Sequence, residues 1–265
     1  MKNRIATRLT LMMLAVGLAS PALAVDGVLE INETCAVNTG CFNGDTAGFP
    51  VTIIRAGSYR LTSNLTVPDE DTSGIVVYTN YVSIDLNGFA ITGPVTCSGS
   101  PATCSHASGT GSGVEVTFPD LRTGTSVGNG SITGMGAWGV QLGYEAKVTN
   151  LRARWNRTGG VGVSEGGAVS NNTTDANGYY GIATSVGSVV SGNRVLDNGI
   201  HGITVGSGSM VSGNTVRGNG GYGLFFSGTN SAYSENVVSN NTGGTVTGSA
   251  VQLGQNACNG NTTCP

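Results

Sequence analysis

From Gly136 the chain repeats itself every 21 residues: blocks 136–156, 157–177, 178–198 and 199–219 share that length, and block 220–241 has one residue more. A fixed short period means stacked supersecondary units, each too small to bury an apolar face alone. The columns give the unit its shape. Glycine holds the fourth position (Gly139, Gly160, Gly181, Gly202, Gly223), and an apolar residue the fifth (Val140, Val161, Ile182, Ile203, Leu224). The seventh is mostly apolar (Leu142, Val163, Thr184, Val205, Phe226), which puts positions five and seven on one face of a strand and the sixth on the other. Val148, Val169, Val190 and Val211 form a second inward column, and Val195, Val216 and Val238 a third. Each block therefore reads as three short strands separated by glycine and asparagine corners. Two asparagine columns, Asn156 to Asn241 and Asn172 to Asn236, recur at the corners and are read as structural hydrogen-bonded ladders between coils.

An antiparallel sandwich would also give many short strands, but not a fixed period with matched corners. Helical periodicity is absent after residue 24. The pattern continues upstream with looser spacing: 51–67 reads as the first coil, 74–93 as the second and 113–135 as the third, with 94–112 an insertion rich in Ser, Gly and Thr. That makes eight coils, with a ninth after Thr242, in a rod of roughly 40 Å. The segments AGSYRLTSNLTV and VSIDLNGFAITG, followed by repeats of the form GIxVxxSxxxVSGNxVxxN, resemble bacterial right-handed parallel β-helix repeat proteins of the pectin-lyase-like superfamily. The resemblance covers roughly residues 50 to 245 and implies an all-β, single-stranded right-handed parallel β-helix. It does not select a function, because lyases, hydrolases, epimerases, adhesins and members without known activity share that fold.

The remaining segments follow. Residues 1–24 read as a signal peptide: Lys2, Arg4 and Arg8 precede a short apolar core, and Ala22-Leu23-Ala24 is a cleavage site of the A-x-A kind. Residues 25–49 are then an N-terminal cap segment, 50–256 the β-helix domain and 257–265 a C-terminal disulfide tail. The implied location is secreted or periplasmic, with no membrane span after cleavage. Nine basic against fifteen acidic residues follow residue 24, a net charge near −6, which disfavours nucleic acid and anionic membranes. Six cysteines allow fifteen pairings, and proximity favours Cys35 with Cys41, Cys97 with Cys104 and Cys258 with Cys264. A metal site is disfavoured: no CxxC exists, and His106 and His201 lie in unrelated segments.

Catalytic constellations are incomplete. GIHGITVGS (199–207) is similar to the histidine segment of polygalacturonases, but the adjacent aspartate pair is missing and no column stacks two acids as inverting hydrolysis requires. A polysaccharide lyase on Lys147 and Arg152, with Glu145 nearby, is the enzymatic alternative; its signature is convergence of these groups in one groove. No cofactor is expected, the acidic turn Asp69, Glu70 and Asp71 being the one candidate for calcium. One further column holds Trp138, Gly159, Tyr180, His201 and Tyr222. Planar side chains at coil spacing stack well on sugar rings, which makes Trp138, Tyr180, His201 and Tyr222 candidate carbohydrate-binding residues. Parity favours a different role: the third position shares a face with the fifth and seventh, so the rings would cap the core unless the glycine at position four breaks the alternation. The leading expectation is a non-catalytic exported rod that presents a rigid surface to a polysaccharide or cell-envelope component.

Overall fold

The computed structural model of the chain describes residues 27–105, 108–117 and 122–264. The expected signal peptide and His106 lie outside these. The described residues wind into a solenoid of three parallel strand rows. The second row shows the register best: Val28, Ser58, Ser83, Ser126, Lys147, Ala168, Val189, Met210, Ala232 and Val251 are successive partners, ten coils deep. This is the expected rod of eight to nine coils with one more turn at its start, where Val28–Ile31, in the segment expected to cap the rod, pairs with Gly57–Leu61. The cap also contains a helix, Glu33–Asn38, against the expectation of none. It is too short to leave a periodic signal, and it forms because Asn32 accepts the Cys35 N–H at its start. The tail begins inside the last coil, where Ala257 and Cys258 pair with Val237 and Val238.

The core is the stack of inward columns. Val140, Val161, Ile182, Ile203 and Leu224 are buried, as are the two valine columns of the other rows. Burying these methyl-rich columns is the dominant stabilisation, and each coil completes its burial only against its neighbours. The asparagine columns are buried ladders. Asn214 accepts the backbone N–H of Asn193 at 2.9 Å and its amide at 3.0 Å, and donates its own amide to Asn236 at 3.0 Å and to the Val190 carbonyl at 3.0 Å. The second ladder runs from Asn156 through Asn177, Asn198 and Asn219 to Asn241 in the same manner. Serines 188, 209 and 231 make a third, in which the Ser209 and Ser231 hydroxyls accept the backbone N–H of Ser188 and Ser209, each at 3.1 Å.

The three disulfides join Cys35–Cys41, Cys97–Cys104 and Cys258–Cys264. The insertion is a flap that lies back along the corner between the third and first rows. Ala102 donates its N–H to the Asp197 carbonyl at 2.9 Å, and Ser100 donates its hydroxyl to the Asp197 carboxylate at 2.6 Å. Val95, Cys97 and Ala102 form a small core with Trp155 and Ala176. The corner beneath is glycine at Gly178, Gly199 and Gly220, where an added Cβ would strike Cys104, Ala102 and Pro101 of the flap respectively.

Candidate functional site

The fourth-position glycines decide which way the ring column faces. A Cβ on Gly181 would point into the rod, against the Asn198 amide and Val195, and Gly202 repeats this against Asn219 and Val216. Positions four and five thus both face inward, alternation breaks, and position three turns outward. The expectation that the rings cap the core is overturned. Trp138, Tyr180, His201 and Tyr222 are half-buried on the outer face and take no part in the main core cluster.

Their spacing differs from that of a simple ladder as well. Two coil spacings, roughly 10 Å, would separate Trp138 from Tyr180, yet their ring centroids lie 6.2 Å apart and within 7° of parallel. Gly159, between them, is the reason: the Trp138 indole folds down over it, into the space a Cβ would occupy, and reaches Gly162 as well. The stack continues from Tyr180 to His201 at 6.2 Å and from His201 to Tyr222 at 6.0 Å, while Phe225 stacks on His201 at 4.5 Å. His201 Nδ1 accepts the Tyr222 N–H at 3.0 Å, which leaves the proton of the neutral ring on Nε2. Burial among the rings holds the His201 pKa below its ordinary value.

Beside the stack the sixth-position side chains also point outward: Gln141, Gly162, Ala183 and Thr204 are small or polar, while Phe225 packs on His201. Glu115, Gln141, Gly162 and Ala183 floor an open groove of about 740 Å³. Trp138 stands on one side of it. The corner residues Ser164, Ser185, Ser207 and Ser227 form the other side. The groove crosses six coils, from Glu115 to Gly228, hence about 24 Å along the axis. Sequence reasoning singled out the ring column but missed the floor; the outward parity of position six was its only signal.

The lyase constellation does not assemble. None of Lys147, Arg152 and Glu145 lines the groove. Arg152 and Arg154 both close on Asp175, at 3.2 and 3.0 Å, on the third row. The acidic turn uses its oxygens internally: Asp69 accepts the Asp71 N–H at 3.0 Å, and Asp71 accepts the Thr110 N–H at 3.1 Å. Among the described residues no helix is long and apolar enough to cross a membrane.

Comparison with known proteins bears on the architecture. The family model for the right handed beta helix region matches residues 136–263. No curated protein matches the chain significantly. Among solved structures, the Dettilon tailspike protein is similar at 12% identity over 80% of this chain and 46% of the tailspike, with a TM-score of 0.45. The Azotobacter vinelandii mannuronan C-5 epimerase A-module is similar at 17% over 82% of this chain and 68% of the module, at 0.38, and a pectate lyase at 14% over 87% and 79%, at 0.36. The chain spans less than half of the tailspike. At these scores the likenesses bear on neither activity nor substrate. The matched stretch and the uniform parallel register give this chain the right-handed parallel β-helix fold, the fold that its resemblance to the pectin-lyase-like superfamily implies.

Proposed function

We propose that the mature chain is an exported, non-catalytic rod whose groove and ring stack bind a glycan of the cell envelope or its surroundings. The observation that carries this reading is the groove itself: the Trp138 ring, the end of the ring stack, on one side, a row of serine hydroxyls on the other, and one titratable side chain, Glu115, among its described lining residues. Rings supply area to the apolar face of a sugar, and hydroxyls meet its hydroxyls. A single carboxylate supplies neither the acid and base of a glycosidase nor the paired base and cation of a lyase. Export is read from the apolar leader and from the local disulfides, which suit an oxidising compartment.

The test is retention in polysaccharide affinity gels, with melting measured beside it. Trp138→Ala and Tyr222→Ala should each weaken retention about tenfold, as truncation of an aromatic anchor does, with little loss of melting temperature. Unsaturated products should not accumulate with any polysaccharide that is retained. Strong destabilisation with unchanged retention would remove the stack as a ligand site.

A further inference from the structure

The charge map of the groove allows its ligand to be narrowed, on the footing of the glycan-binding reading above. Its floor column carries Glu115, Gln141, Gly162 and Ala183, and its wall carries serines, with Glu165 at the neighbouring corner position. No lysine or arginine is among the described lining residues. Six of the described cations have partners or cavities elsewhere. Arg152 and Arg154 are held by Asp175 on the third row, and Arg60 faces Glu30 at 3.9 Å near the first coil. Arg157 lies over the Tyr179 ring, and Arg194 and Arg217 line a separate cavity beside the flap.

We infer that the groove takes an uncharged glycan and rejects polyuronates. A uronate chain laid along the floor would bring carboxylates beside Glu115, partly desolvated and without a countercharge. Like charges so placed disfavour binding, by about a hundredfold in affinity. An uncharged chain meets no such penalty. Ala183 leaves its rings room to lie close to the backbone beside the Trp138 indole, which covers Gly162, and the wall serines supply donors and acceptors on four of the six coils.

The experiment is calorimetric titration of the full mature protein with two sets of oligosaccharides. The uncharged set is β-1,4-glucan, β-1,3-glucan, xylan and mannan fragments; the anionic set is oligogalacturonate and oligomannuronate. At least one uncharged probe should bind, with an affinity that changes less than about twofold when salt is raised about tenfold, since no ion pair is screened. That binding should be lost in Trp138→Ala, which assigns it to the groove. Uronates should bind about a hundredfold more weakly. Glu115→Lys, which places a cation on the floor, should raise uronate affinity about tenfold or more. Tighter binding of uronates than of every uncharged probe would overturn the inference and leave the glycan reading standing. Failure of both sets to bind a protein whose circular dichroism shows an intact rod would overturn that reading and this inference with it.

Discussion

His201 sits where three rings meet, and its chemistry follows from that placement. Tyr180, Tyr222 and Phe225 surround it, and its Nδ1 is occupied by the Tyr222 N–H. Protonation would have to break that hydrogen bond and charge a ring with little water around it, so burial lowers its pKa. The unfolded chain then binds a proton more readily than the folded rod. The stability His201 contributes is complete above the unfolded value and is lost as pH falls through the lower folded one. Urea unfolding from neutral to mildly acid pH should show this loss, and His201→Phe should flatten that part of the profile. The same residue marks a limit of sequence reading. Parity assigned its column to the core, because alternation was counted through position four. The glycine there exists to turn inward against an asparagine, and only the ladder geometry reveals it.

At the scale of elements, the strands were legible and their accessories were not. Valine columns and asparagine corners repeat in kind, so the register could be read directly. The floor of the groove repeats only in direction: glutamate, glutamine, glycine and alanine share no property except pointing outward. The flap was visible as an insertion, but its docking depends on partners about a hundred residues away in sequence, such as Ser100 on Asp197. Its anchor is the Cys97–Cys104 disulfide, next to the glycine corner. Replacing both cysteines by serine should cost about 2 kcal/mol and speed hydrogen exchange of the amides at 177–178 and 198–199. Gly199→Ala should displace the flap with the disulfide intact, because its Cβ would meet the carbonyls of Gly178 and Ala102. Unchanged exchange in both variants would mean that the flap does not hold the corner.

Taken as a whole molecule, the rod separates what must repeat from what is free to differ. Between residues 136 and 241 the single departure from the period falls at the corner between the first and second rows: five residues lead from Val205 to Met210, and six from their partners Phe226 to Ala232. The rows on either side keep their pairing. A glycine inserted after Ser207 should therefore shift melting by only a few degrees, whereas one inserted after Val211 turns the following side chains to the opposite face and should leave no cooperative transition at ordinary temperature. Comparable losses in both variants would show that the corner is as constrained as the strands. The tolerant corner is the one whose serines make the wall of the groove. Insertions and substitutions that selection can accept are thereby steered to the surface proposed to meet a glycan, so on that reading the recognition specificity of such a rod can drift while the columns that keep it folded stay fixed.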